Sequence, residues 1–163
     1  MSTAADLIAH SLTVSQSLMV RYTNDLKAEE YLHRTSEKAN CAAWTIGHLI
    51  LTERGMLKQL GITDLAALPD GFEHRFSRDE GCPQAHEFGD VTTLMPLFNE
   101  HRNRAIETVR SASQELLNKP MEKPRPPLFT TVGEYINFLA LHTSMHAGQI
   151  TLIRRSLGRP PLV

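Results

Sequence analysis

The sequence predicts an all-α protein, a four-helix bundle forming a single domain over residues 1–163. Three observations carry that expectation. Four long segments repeat their apolar residues every three or four positions. Their ends carry capping residues of the expected kind. Nothing between them alternates or turns like a strand hairpin.

The first segment runs from about Thr3 to Tyr22, with Leu7, Ser11, Val14 and Leu18 as its stripe. The second follows Asn40, a residue type suited to an N-cap, and reads "CAAWTIGHLILTERGMLKQL" up to Gly61. The third begins after Asp90 and continues through "QELL". Its stripe is Leu94, Phe98, His101, Ala105, Val109, Ala112 and Leu116, and Pro96 falls near its start, where a missing N–H costs least. The fourth opens on Thr130 or Thr131 with Glu134 as the acid of a capping box, and closes on "RRSLGRPP". A short extra turn is expected in "KAEEYLHR". The connection between the second and third segments, about 29 residues rich in Gly, Pro and Asp, is long enough to return along a bundle. The "NKPMEKPRPP" connection before the fourth segment is short and proline-stiffened.

Composition excludes several classes of function. The chain is 41% hydrophobic and 21% charged with a net charge of −1, so it lacks the basic footprint of a nucleic-acid binder. No apolar run reaches the ~20 residues of a membrane span, and "MSTAADLIAH" has no signal-peptide character. Two cysteines, Cys41 and Cys82, make a poor disulfide framework, and a reduced, cytoplasmic setting is expected.

Chemistry concentrates in histidine. In the fourth segment the alternation runs Val132, Tyr135, Leu139, His142, His146, Gln149 and Ile153, so the expected core seam carries three consecutive polar members. Burying an imidazole is costly unless its nitrogens find partners. Residues at i and i+4 are neighbours on a helix, so His142 and His146 can converge on one metal ion. His48 follows Trp44 on the inward stripe of the second segment and supplies a third ligand. Three neutral imidazoles would leave a coordination position open, as catalytic zinc sites do. The H-E-x-x-H pattern is absent, because Thr143 stands where its glutamate would be. His101 also lies on an inward stripe, so one of these four histidines is equally well read as a hydrogen-bonded core residue. His10, His33, His74 and His86 read as surface residues, and Cys41 as a small buried one. Gly47 and Gly148, inside helices, mark either close packing or a bound group. Gln149 reads either as a partner for a ring nitrogen or as a polar residue at the bundle's end.

"NCAAWTIGHL", paired with "HTSMHAGQITLIRRSLGRPP", resembles the DinB-like superfamily of bacterial four-helix-bundle metal-binding proteins. The likeness lies in Asn-x-x-x-Trp-x-x-Gly-His, in His-x-x-x-His-x-Gly-Gln and in the closing Arg-Arg-x-x-Gly-x-Pro. It implies a bundle in up-down-down-up order. It also implies one divalent ion, zinc or nickel, on His48, His142 and His146. Relatives of assigned activity include transferases and isomerases that use low-molecular-weight thiols, and homodimers are frequent.

Three functions compete. The first is a metal-dependent thiol transferase acting on a small molecule, with His101, Glu53 and Tyr135 as undistinguished candidates for a general base. The second is a hydrolase using metal-bound hydroxide, and the third a non-enzymatic metal-binding stress protein. Arg154 and Arg155 could take an acidic substrate, although cations are also expected at a helix C-terminus. Ile8, Leu12 and Met19 lie outside the expected core stripe and are the residues expected to cover a second subunit.

Overall fold

A computed structural model describes residues 2–77, 82–121 and 128–162. Four long helices form the body: α1 (Ala4–Thr23), α3 (Ala42–Gln59), α5 (Leu94–Arg110) and α7 (Val132–Ser156). Between them come one-turn helices α2 (Ala28–Tyr31), α4 (Phe72–Arg75) and α6 (Gln114–Asn118), with 3₁₀ turns at Ala85–Glu87 and Val91–Thr93. The described residues contain no strand, only an isolated bridge between Pro120 and Thr131. The bundle is the architecture expected from the periodicity, and α2 falls in the segment expected to hold an extra turn. Residues 122–127 of the proline-stiffened connection lie outside the described residues.

Local chemistry fixes most helix ends. The Thr3 hydroxyl accepts from the Asp6 N–H, and Thr131 and Glu134 form a reciprocal capping box. Gly61 and Gly158 follow α3 and α7 at φ 81° and 75°, left-handed positions that favour glycine. Asn40 is not the cap of α3. That place is taken by Cys41, whose sulfur accepts from the Trp44 N–H.

The third segment is broken rather than continuous. A 3₁₀ turn precedes α5, and the chain leaves the helix at Ser111 before restarting as α6. Ser111 and Ser113 account for the break: the Ser113 hydroxyl caps α6 by accepting from the Leu116 N–H, so the backbone has an alternative to continued helix. Leu117, not Leu116, becomes the buried residue there.

Two of the expected faces are rotated. In α1 the buried residues are Ala5, Ala9, Leu12, Ser15, Met19, Tyr22 and Thr23, while Leu7 and Val14 are 61% and 45% exposed. The core side of α1 is built partly from small residues because α1 packs most extensively against α7, where alanines permit close approach. Leu12 and Met19 are therefore core residues and cannot cover a partner; Ile8 is half-buried against the same core. In α7 the core side is Ile136, Leu139, Ala140, Thr143, Ala147 and Ile150, one step round from the expected seam. His142 and His146 consequently sit half-buried at its edge, and Gln149 is exposed.

The apolar core forms two clusters. One gathers Met19, Ile50, Phe98 and Ala147; the other gathers Leu12, Met56, Ala105 and Ala140. A polar layer lies between these residues along every long helix: Ser15, Glu53, Arg102 and Thr143, all buried. Arg102 donates to the Ser15 hydroxyl at 2.7 Å, the Leu12 carbonyl at 3.2 Å, Glu53 at 2.5 Å and the Thr143 hydroxyl at 2.7 Å.

The long connection folds back onto the first half of α3, burying Phe72, Phe76 and Phe88. Gly47 is explained by this packing. A Cβ added there would lie 2.2–2.5 Å from three atoms of the Phe76 ring. Gly47→Ala is expected to destabilise the fold by about 1–3 kcal/mol through overpacking. Gly55→Ala in the same helix, where a Cβ meets nothing within 4 Å, is expected to stabilise it by about 0.5–1 kcal/mol. Denaturant titration of both variants checks the contrast; equal effects would show that the Phe76 ring does not constrain position 47.

Candidate metal centre

Helix α3 contributes His48 and helix α7 contributes His142 and His146, two residues one turn apart on a shared face. The three rings converge. Centroid separations are 5.3 Å for His48 and His142, 5.5 Å for His48 and His146, and 4.6 Å for His142 and His146. One ring nitrogen from each lies within 4.8 Å of the others, and the facing Nε2 atoms of His142 and His146 are 3.0 Å apart. Tetrahedral ligands at Zn–N bonds of about 2.0–2.1 Å would stand roughly 3.3 Å apart. The donor set therefore fits a small divalent ion with little adjustment. Among the described residues no fourth His, Cys, Asp or Glu joins this group.

Neighbouring side chains set the ring planes. Trp44 stacks on His48 at 5.0 Å with 4° between planes, and Phe138 stacks on His142 at 5.4 Å with 12°. Each aromatic residue lies four positions before its histidine, so one helical turn delivers the stack in both helices. Phe138 was not singled out from the sequence, although it has the same spacing from His142 as Trp44 has from His48. The third ring is held differently. His146 Nδ1–H donates to Gln149 Oε1 at 2.8 Å, which leaves the Nε2 lone pair facing His142.

The remaining candidates are placed elsewhere. His101 is buried, donating from Nδ1 to the Leu97 carbonyl at 3.0 Å and accepting at Nε2 from Arg54 at 3.3 Å. Glu53 is committed to Arg102 in the polar layer. Tyr135 packs against Phe129 and helps line a cavity of about 450 Å³ with Met56, Leu60, Leu116, Met121 and Ile136. None of the three clustered histidines lines that cavity. Arg154 is buried and bound to the Tyr22 carbonyl and to Asp25, so it is unavailable to an acidic substrate. Only Arg155 of that pair is exposed. His10, His74 and His86 are exposed as expected, and His33 bonds to the Ser156 hydroxyl at 2.9 Å.

The sequence profile of the DinB superfamily matches residues 11–150, a span that includes all three histidines, the whole of α3 and α5, and most of α1 and α7. The chain belongs to the DinB superfamily. Its fold is similar to that of YfiT from Bacillus subtilis, described as "a probable metal-dependent hydrolase with an unusual four-helix bundle topology". That match has a TM-score of 0.70 at 13% identity and covers 98% of this chain and 91% of the other. No curated protein sequence matches the chain. This DinB-superfamily chain has no helix long and apolar enough to cross a membrane among its described residues.

The Trp44 stack makes the centre optically testable, because Trp44 is the only tryptophan. Adding Ni²⁺ or Cu²⁺ to metal-free protein is expected to quench its fluorescence saturably. Zn²⁺ should compete while quenching less, its d shell being filled. The double variant His142→Ala/His146→Ala leaves the Trp44 helix intact and should abolish the saturable phase. Undiminished quenching in that variant would place the ion elsewhere.

Proposed function

We propose that this chain is a divalent-metal-dependent enzyme of thiol-transferase type acting on a small molecule, with His48, His142 and His146 as ligands of one Zn²⁺ or Ni²⁺. The observation that supports the reading most directly is the convergence of three ring nitrogens within 4.8 Å with no fourth protein ligand among the described residues. Structural zinc sites are four-coordinate and closed, whereas catalytic sites keep a position for water or substrate. A divalent ion held there supplies Lewis acidity, which lowers the pKa of a coordinated water or thiol toward neutrality.

The protein's own part is orientation. Stacking by Trp44 and Phe138 limits rotation of two rings, and Gln149 selects the tautomer of the third. The half-burial of His142 and His146 leaves a route from solvent to the centre. Neither Glu53 nor His101 is a general base in this reading, because Arg102 and Arg54 occupy them. A hydrolase is the second reading, favoured by the description of YfiT, whose fold this chain shares.

Elemental analysis of purified protein is expected to find one divalent ion per chain. Alanine at any of the three histidines should weaken binding by at least about tenfold, the scale on which even supporting residues act, while His101→Ala retains most of it. Equal occupancy in wild type and His142→Ala would reject the ligand set. The metal-loaded protein is then assayed with low-molecular-weight thiols plus an electrophile, and separately with ester and amide substrates. Turnover that requires the thiol supports the transferase, and thiol-independent turnover supports the hydrolase.

Assembly as a homodimer is part of the same proposal, and the structure changes which residues would serve it. No Asp, Glu, Lys or Arg occurs between Asp6 and Arg21 of α1 or between Glu134 and Arg154 of α7. The outward residues of those stretches include Leu7, Val14, Leu141, Met145 and Leu152, all more than 40% exposed. Absence of charge at the centre of a patch is the compositional signal of an interface, and a two-fold partner would present the same uncharged face. Sedimentation should show a dimer that Met145→Glu converts to monomer. A concentration-independent wild-type monomer across the micromolar range would refute the assembly.

A further inference from the structure

The two cysteines, 41 residues apart in sequence, are neighbours in the fold. Cys41 is fully buried at the N-cap of α3, and its sulfur lies 3.9 Å from that of half-buried Cys82 in the long connection. Three separate parts of the chain build this contact. Arg34, just beyond α2, donates to the Cys82 carbonyl at 3.1 Å and also to the Pro83 carbonyl, holding the Cys82 backbone beside the start of α3. Phe76 and Phe88, on either side of Cys82 in sequence, are buried in the core cluster that contains Cys41. Both sulfurs are free thiols.

We infer that Cys41 and Cys82 form an oxidisable dithiol site that reduces a hydroperoxide and closes a reversible disulfide between the long connection and helix α3. The geometry requires a modest movement. A disulfide needs about 2.05 Å between sulfurs, so the pair must approach by a little under 2 Å. Cys82 lies outside regular secondary structure, so its approach breaks no helical ladder.

The two thiols differ in the way the reaction needs. The hydrogen bond between the two sulfurs, with Cys41 taken as its donor and with help from the Arg34 guanidinium, lowers the Cys82 thiol to about 6. The same bond, together with burial, pushes the Cys41 thiol well above its ordinary value. The more accessible sulfur is thus a thiolate near neutral pH, the nucleophilic form, and the buried one is held back as a thiol. In the first step the Cys82 thiolate attacks one peroxide oxygen and the O–O bond breaks. Cys82 becomes a sulfenic acid, and the departing alkoxide or hydroxide takes a proton from solvent. In the second step the Cys41 sulfur attacks the Cys82 sulfur and the S–O bond breaks. The hydroxide lost from Cys82 combines with the Cys41 proton to give water. Overall two thiols lose two electrons and two protons, and the hydroperoxide is reduced to an alcohol, or to water, plus one further water. Transient disulfides of this kind are the type found in reducing compartments.

The site stands independently of the metal reading, so the test is run on the full chain with a chelator present. Reduced, desalted protein is treated at pH 7 with a small molar excess of hydrogen peroxide, then examined by intact mass, thiol counting and peptide mapping. Wild type is expected to lose about two mass units and both alkylatable thiols. A single cross-linked peptide pair, Cys41 with Cys82, should appear, and dithiothreitol should restore the thiols. Cys41→Ser should stop about 16 mass units higher, as a sulfenic acid that dimedone traps. Cys82→Ser, on a non-helical segment, should retain the wild-type melting profile and react at least about tenfold more slowly, because the thiolate is the reactive form. Arg34→Gln should slow the first step several-fold. Retention of both thiols in wild type would overturn the inference. So would a disulfide only between chains, or equal rates for Cys82→Ser and wild type.

Discussion

The Arg102 guanidinium is the point on which the bundle is organised. It is fully buried, lies with its guanidinium carbon 5.3 Å from the Phe98 ring centroid, and bonds to each of the other three long helices. A buried charge tolerates few arrangements: removing one partner of such a pair costs about 3–5 kcal/mol, because the remaining charge is left uncompensated. Sliding any helix by one turn would exchange Ser15, Glu53 or Thr143 for an apolar neighbour and leave the cation short of a partner. The apolar residues on either side of the layer could pack in several registers. The polar layer selects one.

That register also places the histidines. Thr143 sits between the turns that carry His142 and His146, and Glu53 lies five residues beyond His48 on α3. The contacts that satisfy Arg102 therefore help to set the axial positions of all three rings. Helix α7 serves three directions at once. Thr143 and Ala147 face the core, His142, His146 and Gln149 form the edge of the centre, and Leu141, Met145 and Leu152 face outward. Along its charge-free run the polar contacts to other side chains fall to Thr143, His142, His146 and Gln149.

Helix ends, the fourfold bundle and the histidine pair were readable because each depends on residues within about one turn: Thr131 with Glu134, Gly158 after α7, His142 with His146. Failures came where two local patterns competed. Leu7 and Val14 looked more core-like than Ala5 and Ala9, yet close packing on α7 rewards the smaller side chains, and hydrophobicity alone cannot rank them. Arg102 is charged, and nothing local distinguishes it from a solvent-facing residue beside His101. Its burial depends on Ser15, Glu53 and Thr143, which are 87, 49 and 41 residues away in sequence. Glu53 was read as chemistry for the same reason: a lone carboxylate on an inward face looks functional until its cation is seen. The Cys41–Cys82 contact was hidden equally, since it depends on how a long irregular connection folds back.

Gly47 and His48 show how closely structure and site are joined in α3. One residue has no side chain because the Phe76 ring rests on the helix, and the next carries a candidate ligand stacked on Trp44. Packing by the long connection on one side and the Glu53–Arg102 pair one and a half turns later hold this stretch of helix from two directions. A side chain on such a stretch retains little backbone freedom to lose when it binds an ion, and its stacking partner removes much of the rotamer freedom as well. For the metal centre proposed above, the donor set is consequently organised before an ion would arrive. A three-ligand site needs that advantage most, because it forgoes the binding energy of a fourth protein ligand to keep a position open for chemistry.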